Sequence, residues 1–326
     1  MLSRVKDKFL LWGQGRIEKG AWFFAPLSCL WGFVSFWKNV LYDCRVFSSQ
    51  KVACPVVSVG NLVAGGTGKT PLIHLLAARF SHIPVAILSR GYGKIPDEPL
   101  LLQRRVHHAK VYVGKDRVKL AQKAARDGAK LILLDDGFQY RKLHRDFDLV
   151  MLALSDPFGK GHYLPWGFLR DHPRRLKQAD AILVTGERTN CFALPHVHLE
   201  VKVERILDVR EKVIDSIQGW NVAIFCGIAK PHLFKKTVEG LGAKVVLALD
   251  LADHEKMEVS HIQSFATLAK KTGAVALVCT EKDFVKLDSM VEVCLPVIFL
   301  EISLVVRGGH SIWENLIAKI SQKIDN

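Results

Sequence analysis

A glycine-rich segment, residues 58–71, constrains the fold of this chain more than any other feature. It reads Ser-Val-Gly-Asn-Leu-Val-Ala-Gly-Gly-Thr-Gly-Lys-Thr-Pro and lies between an apolar run and a segment with helical spacing. A loop between a strand and a helix holds phosphate when glycines let its backbone N–H groups turn toward the phosphate oxygens. The segment therefore predicts a phosphate-binding loop formed by Val63, Ala64, Gly65, Gly66, Thr67, Gly68, Lys69 and Thr70.

Two residues of this loop carry the expected chemistry. Lys69 is expected to reach the β- and γ-phosphates of a nucleotide, and the hydroxyl of Thr70 is expected to bind Mg²⁺. The loop departs from the common pattern at position 63, where valine replaces glycine. The strand–loop–helix setting nevertheless favours a nucleotide site over a chance Gly-Lys-Thr turn.

A second acidic segment follows an apolar strand, at residues 130–137. It reads Lys-Leu-Ile-Leu-Leu-Asp-Asp-Gly, so Asp135 and Asp136 stand where a strand ends. Carboxylates in this position, downstream of a phosphate-binding loop, are typical of a nucleotide–Mg²⁺ site. Because side chains alternate along a strand, we expect one of the two to face the metal, and the sequence leaves open which one.

The apolar runs alternate with helical segments along most of the chain. A first set of runs occupies residues 55–59, 85–88, 111–113, 131–134, 149–154 and 181–184, and a second set occupies 222–225, 244–247, 276–279 and 297–300. Strands that alternate with helices predict a parallel sheet with helices on both faces. The fold class is therefore α/β, with two α/β domains joined by a short β linker, the larger domain carrying the phosphate-binding loop.

The domain boundaries follow from the same pattern. We expect a P-loop domain over residues 1–190, which includes an N-terminal membrane-associated helix, and an extended linker over 191–220. A smaller α/β domain is expected over 221–305. Residues 306–326 have helical spacing and are predicted to form a C-terminal helix that packs on the first domain.

Charge and cysteine content narrow the class of protein. The formal net charge is +14, and residues 104–145 hold twelve Lys or Arg against four Asp or Glu. Such a field indicates a polyanionic partner. A nucleic-acid-dependent ATPase would need basic residues interleaved with aromatics, and that pattern is missing, so we predict no nucleic-acid partner.

Seven widely spaced cysteines fit neither a disulfide framework nor a zinc site, which indicates a reducing compartment.

Residues 21–37 contain no charged side chain and include three tryptophans. The segment is short for a membrane span, and Pro26 and Gly32 interrupt it. Beyond Pro26 the spacing predicts an amphipathic helix with a wide apolar face, opposite a stripe of Ser28, Gly32, Ser35 and Asn39. Two interpretations remain open: a helix that lies in a membrane interface, or a core helix buried in the domain.

Eight short motifs, taken together, resemble one known family. The chain is similar to the tetraacyldisaccharide 4'-kinases, P-loop kinases of lipid A synthesis, from about residue 20 to about residue 310. The motifs occur in the family's order: Gly-Gly-Thr-Gly-Lys-Thr-Pro (65–71), Ser-Arg-Gly-Tyr-Gly (89–93), Asp-Glu-Pro (97–99), Asp-Asp-Gly-Phe-Gln (135–139), Leu-Pro-Trp-Gly-Phe-Leu-Arg (164–170), Gly-Ile-Ala-Lys-Pro (227–231), Asp-His (253–254) and Thr-Glu-Lys-Asp (280–283). That family also has no glycine at the position of Val63.

The resemblance implies transfer of the ATP γ-phosphate to the 4'-hydroxyl of a tetraacylated glucosamine disaccharide 1-phosphate, with Mg²⁺ as metal. It implies that Asp97 is a catalytic carboxylate supported by His254. Two departures are visible: only Lys-Ile-Pro separates Gly93 from Asp97, and Tyr140 stands where the family more often has histidine.

Substrate contacts are expected from Glu98, Arg117 and Arg170, with Arg117 the best candidate for gripping a phosphate. A basic cluster of Arg170, Arg174, Arg175 and Lys177 is expected either at the lipid headgroups or simply in water.

The location follows from a substrate that is both lipidic and anionic. We expect a peripheral protein on the cytoplasmic face of the bacterial inner membrane, and no obligate protein partner. A P-loop GTPase is disfavoured, because in residues 280–283 the lysine comes one position too late for a base-reading motif. A non-enzymatic membrane scaffold is disfavoured by the intact Gly-Lys-Thr and the downstream aspartates.

Overall fold

The computed structural model describes residues 21–91, 97–186, 194–251, 258–287 and 293–326. The helices are α1 (Ala25–Asp43), α2 (Lys69–Arg79), α3 (Asp97–Arg105), α4 (Arg117–Arg126), α5 (Pro231–Gly240), α6 (Val259–Lys271), α7 (Glu281–Phe284) and α8 (His310–Asp325), with short 3₁₀ helices at Ala21–Phe24, Gly159–Gly161 and Pro173–Gln178. The strands are β1 (Val56–Asn61), β2 (Val85–Ser89), β3 (Ala109–Val113), β4 (Leu131–Asp135), β5 (Phe147–Ala153), β6 (Ala181–Thr185), β7 (Val197–Asp208), β8 (Asn221–Cys226), β9 (Lys244–Asp250), β10 (Ala276–Thr280) and β11 (Val297–Gly308).

These elements form two compact units. Of the described residues, the first unit holds 21–91, Leu102–Val201 and Leu304–Asn326, and the second holds 97–101 and Lys202–Ser303. The mixed α/β class predicted from the alternating runs is confirmed.

In the first unit the strand order is β3-β2-β4-β1-β5-β6-β7, and each neighbouring pair is parallel. Strands β1, β2 and β4 are buried along their whole length, as expected for parallel strands covered on both faces. On one face, Val57 and Val59 belong to a core cluster shared with α2 and α8. On the other face, Val56 packs in a cluster shared with α4. The predicted arrangement of helices on both faces is therefore confirmed in this unit.

The C-terminal helix α8 belongs to the core of the first unit. Its apolar side chains recur at helical spacing, and Trp313, Leu316, Ile317 and Ile320 are buried in the same cluster as β1 and α2.

In the second unit the strands β11, β10, β8 and β9 are neighbours in that order and pair in parallel. Helix α6 packs on one face through Ile262 and Phe265, and α5 packs on the other through Phe234 and Val238. The unit is therefore a small three-layer α/β sandwich.

Strands β7 and β11 are hydrogen-bonded neighbours. Arg307 pairs with Glu200, and Arg205 pairs with Glu301, so residue numbers rise along one strand while they fall along the other. The two strands are therefore antiparallel. The alternating pattern of Val197, Leu199, Val201 and Val203 reflects this long strand.

Helix α1 belongs to the first unit and turns its polar stripe inward. Ser28, Gly32 and Asn39 are its buried residues, whereas Trp31 and Trp37 are 47% and 48% exposed. The interpretation of this segment as a core helix is therefore wrong. Among the described residues, no helix has the length and apolar content that crossing a membrane requires.

Candidate active site

The phosphate-binding loop leaves the carboxyl end of β1, which lies between β4 and β5 in the sheet. Open parallel sheets bind their ligands at this edge, where the strand order reverses. Gly65 and Gly68 have φ values of 115° and 88°, a left-handed backbone that glycine adopts without strain. Gly68 is the N-cap of α2, so the loop delivers the first N–H groups of that helix to the site.

Hydrogen bonds fix the shape of the loop. The Asn61 side-chain amide donates to Thr67 Oγ1 at 3.1 Å and to the Gly65 carbonyl at 3.4 Å. The Ala64 N–H donates to the Phe168 carbonyl at 2.8 Å. The pairing of Thr67 with Asn61 is not part of the common loop motif, since Asn61 lies six positions upstream.

The valine at position 63 has a packing role. Val63 is buried in a cluster with Leu62, Phe138 and Leu169, and it forms a β-bridge with Leu169. A glycine here would leave part of that cluster unfilled. The departure from the common loop pattern therefore reflects the way this loop packs against the segment that ends at Arg170.

Asp136 is the centre of a charge cluster. Its carboxylate lies 3.4 Å from Lys69 Nζ and 2.9 Å from Arg170 Nη1. Burial alone would raise the pKa of Asp136, but the charges of Lys69, Arg170 and Arg117, with the Arg170 hydrogen bond, outweigh burial and lower the pKa to about 2. The carboxylate is therefore ionised at neutral pH and holds the lysine of the phosphate-binding loop in place.

Asp135 faces a different set of partners. Ser89 Oγ, at the end of β2, donates to its carboxylate at 3.2 Å. The side chain is buried at the carboxyl end of β4. Asp135 and Asp136 thus have different partners, because Asp135 ends β4 whereas Asp136 lies in the turn that follows, with a φ of 50°.

Arg117 is 5% exposed and lies against the main chain of these two aspartates. Its Nη1 donates to the carbonyls of Asp135 and Asp136, at 3.1 Å each, and its guanidinium stacks over the Tyr140 ring at 4.1 Å. Tyr140 therefore supports Arg117. Contact of Arg117 with a substrate phosphate stays a prediction.

The oxygen donors suit Mg²⁺. Magnesium in kinase sites is held by one or two carboxylates together with substrate phosphates, and Asp135, Asp136 and the Thr70 hydroxyl offer oxygen atoms of this kind at the end of β4 and the start of α2. Within the described ranges, no group of three or more His, Cys, Asp or Glu residues forms a self-sufficient metal cage. The donor set therefore fits a metal that arrives with its nucleotide.

Arg170 and Arg175 lie closer to the core than the sequence suggests. Arg170 binds Asp136, and Arg175, 6% exposed, pairs with Asp171 and stacks over the Phe138 ring at 4.2 Å. The expectation that Arg175 belongs to a headgroup or solvated cluster is wrong. The neighbouring Arg174 and Lys177 are exposed.

The two predicted catalytic residues fall outside what the structure describes. Asp97 is the first residue of α3, but its side chain is not described, and His254 lies outside the described ranges. Glu98, in the first turn of α3, is half-buried. Their roles stay predictions.

The loop after β1, the N-terminus of α2 and the acidic end of β4 define a P-loop kinase site. Comparison with known proteins identifies the family. The family model for tetraacyldisaccharide-1-P 4'-kinases matches residues 20–321, and the chain belongs to that family. It is therefore a kinase that acts in lipid A biosynthesis at the 4' position of the tetraacyldisaccharide 1-phosphate.

Individual relatives agree. The chain is 34% identical to the tetraacyldisaccharide 4'-kinase of Syntrophus aciditrophicus, over 87% of this chain and 88% of that protein. It is 36% identical to that of Chlamydia trachomatis serovar D, over 75% of each chain. Among solved structures, LpxK from Aquifex aeolicus in complex with ATP matches with a TM-score of 0.74 and 27% identity, covering 92% of this chain and 99% of that one.

Proposed function

We propose that this kinase works at a lipid surface, where it moves the γ-phosphate of Mg²⁺-bound ATP to the sugar 4'-hydroxyl, with Asp97 and His254 as catalytic residues. One observation carries the proposal. A phosphate-binding loop and a helix that exposes its apolar face belong to the same compact unit. Such a helix suits an enzyme whose substrate is held in a lipid surface.

The chemistry assigns a role to each side chain. A sugar hydroxyl is a poor acid, so the Asp97 carboxylate would accept its proton as the oxygen attacks the γ-phosphorus, and His254 would orient that carboxylate. Lys69 would exchange its ion pair with Asp136 for a contact with the transferring phosphoryl group. Thr70 and one of the two candidates, Asp135 or Asp136, would hold Mg²⁺, which neutralises charge on the phosphate oxygens.

The lipid surface is supported by the outward side of α1. The large apolar residues exposed there and just before it are Phe23, Leu27, Leu30, Trp31, Phe33, Val34, Phe36 and Trp37. A contiguous apolar patch of this kind marks an interaction site, and a helix with tryptophans on such a face suits the headgroup boundary of a bilayer. The location we propose is peripheral, on the cytoplasmic face of the bacterial inner membrane.

The activity is tested with purified protein, Mg²⁺-ATP and a detergent-dispersed acylated glucosamine disaccharide 1-phosphate. We expect phosphorylation of this lipid and none of nucleosides or free hexoses. Lys69→Ala should abolish transfer with the fold intact by circular dichroism, whereas Lys51→Ala, at an exposed lysine outside the loop, should not. Turnover of a nucleoside in preference to the lipid would refute the proposal.

The membrane location has its own test. Replacing Leu30, Val34 and Trp37 with serine should weaken partition into anionic vesicles at high salt, because apolar burial survives screening while charge attraction does not. As a control, Val209, Val213 and Val275, exposed in the second unit, receive the same change. Equal partition of both triple variants would show that α1 is not the lipid-binding surface.

A further inference from the structure

Helix α1 is exposed to solvent on one side, and hydrogen bonds connect it to the nucleotide site. The exposed Lys38 donates through Nζ to the Gln139 carbonyl at 3.0 Å. The Gln139 side-chain amide in turn donates to the Asn61 carbonyl at 2.8 Å. Asn61 is the residue whose own side chain binds Thr67 and Gly65. An unbroken path of hydrogen bonds therefore runs from α1 to the phosphate-binding loop.

A second path of hydrogen bonds leads from α1 through Arg170 and Asp136 to Lys69 of the same loop. Trp31 Nε1 donates to the Arg170 carbonyl at 3.3 Å, and Ser35 Oγ donates to the same carbonyl at 3.4 Å. The Arg170 guanidinium binds Asp136, which holds Lys69. Both paths lie within the first unit, so α1 contacts the two segments that shape the phosphate site.

Lys38 is the charged member of these paths on α1, and its surroundings would change at a membrane. It is exposed, and on the helix it follows Val34 and Trp31 at intervals of four and seven residues, along the edge of the apolar face. A hydrogen bond from a charged donor is weak where water competes and strengthens where water is excluded. Docking of the apolar face on a bilayer would exclude water from the bond between Lys38 and Gln139.

We propose that Lys38 is a positioning residue that couples the lipid-facing surface of α1 to the phosphate-binding loop, so that a bilayer and ATP bind cooperatively. The inference rests on the membrane location proposed above. Each ligand should tighten the other by the same factor, because coupling between two binding equilibria is reciprocal. We expect a factor of roughly five, at the lower end of such couplings.

The experiment measures this factor in both directions without turnover. The affinity of a fluorescent, non-hydrolysable ATP analogue with Mg²⁺ is measured with and without saturating vesicles of phosphatidylcholine containing a minority of phosphatidylglycerol. Vesicle partition is then measured with and without the saturating analogue. An anionic surface repels ATP, so non-specific electrostatics would lower the affinity rather than raise it.

Three variants decide the role of Lys38. Lys38→Met should bring the factor close to one, and Lys38→Arg should keep it, because arginine retains a charged donor. Lys51→Met removes the same charge from an exposed site outside α1 and should leave the factor unchanged. The factor compares the nucleotide affinity of one variant with and without saturating vesicles. A variant that only binds vesicles more weakly therefore keeps the same factor.

The outcomes separate this inference from the proposed function. A factor of one in the unaltered protein, with normal partition and normal nucleotide binding, would overturn the coupling and leave the membrane location standing. Equal loss in Lys38→Met and Lys51→Met would overturn the role of Lys38. Failure to partition into vesicles at all would overturn both the coupling and the membrane location.

Discussion

Replacing Asp136 with asparagine should destabilise the first unit measurably. The pKa of Asp136 is lowered from 3.8 to about 2 in the folded protein. A shift of nearly two pKa units corresponds to about 2 kcal/mol of stability at neutral pH. The amide keeps the shape and still accepts a hydrogen bond from Arg170, but it leaves Lys69 and Arg170 without their shared anion. We expect urea unfolding of Asp136→Asn at about pH 7 to show a loss of about 2–3 kcal/mol.

The loss should depend on pH with a definite sign. A carboxylate whose folded pKa is lowered contributes its full stabilisation above its unfolded pKa, and that contribution disappears as the pH falls through the folded pKa. The difference between the unaltered protein and Asp136→Asn should therefore be constant from neutral pH to about pH 5. Roughly half of the difference should remain at about pH 3. Almost none should remain well below pH 2, because Asp136 is then protonated in both the folded and the unfolded state.

An exposed ion pair supplies the control. Glu314 lies 3.9 Å from Arg79, and both side chains are more than half exposed. Glu314→Gln should change the unfolding free energy by less than about 1 kcal/mol at neutral pH. A pH-independent difference for Asp136→Asn, or one no larger than that of Glu314→Gln, would refute the assignment of Asp136 as a buried, ionised partner of Lys69.

Three further changes test other parts of the site. Gly60→Ala would place a Cβ atom 2.5 Å from Phe138 Cβ, so we expect a loss of about 1–3 kcal/mol in urea unfolding. Arg175→Met would leave its buried carboxylate partner uncompensated and should cost about 3–5 kcal/mol in the same assay. Asp97→Ala and His254→Ala should each lower kcat for lipid phosphorylation by roughly 10²–10⁴, and the double variant should lose less than the product of the two factors.

Each of these changes has a comparison. Gly240→Ala adds a Cβ in open space on α5 and should be close to neutral, and Arg174→Met removes an exposed charge beside Arg175. If Gly240→Ala costs as much as Gly60→Ala, the close approach to Phe138 does not limit that position. Stability unchanged in Arg175→Met would contradict a buried ion pair. Fully multiplicative losses in the double variant would show that Asp97 and His254 act separately.

Most of the fold was predictable because parallel strands that are covered on both faces have continuous apolar sequences. Strands β1, β2 and β4 are runs of this kind. The second half of β11 was not predicted, because Glu301 and Ser303 end the continuous apolar run at Leu300 and Arg307 follows. The predicted domain boundaries at 190, 220 and 305 stay predictions.

The site was predictable only as far as local geometry goes. The positions of Gly65 and Gly68 follow from the loop motif, because a left-handed backbone requires glycine. The cluster of Lys69, Asp136 and Arg170 joins residues a hundred positions apart, and no spacing rule reports such a meeting. Arg175 was misread for a related reason: it sits among basic neighbours, and only the fold shows that a carboxylate and an aromatic ring enclose it.

The orientation of α1 links its exposed apolar face to the phosphate-binding loop. Its inward polar groups are satisfied by the segment around Asp171, which accepts a hydrogen bond from Asn39 at 2.8 Å. Its outward side leaves seven large apolar side chains near or above half exposure, and each would gain on the order of 1 kcal/mol on leaving water. Turning the helix over would bury these side chains, but it would place apolar groups against the buried Asp171 carboxylate and remove its hydrogen bond from Asn39. The sequence thus specifies an outward apolar face, and the segment that fixes this orientation, ending at Asp171, also carries Arg170 to Asp136. The exposed apolar face of α1 and the phosphate-binding loop are therefore both held by one short stretch of chain.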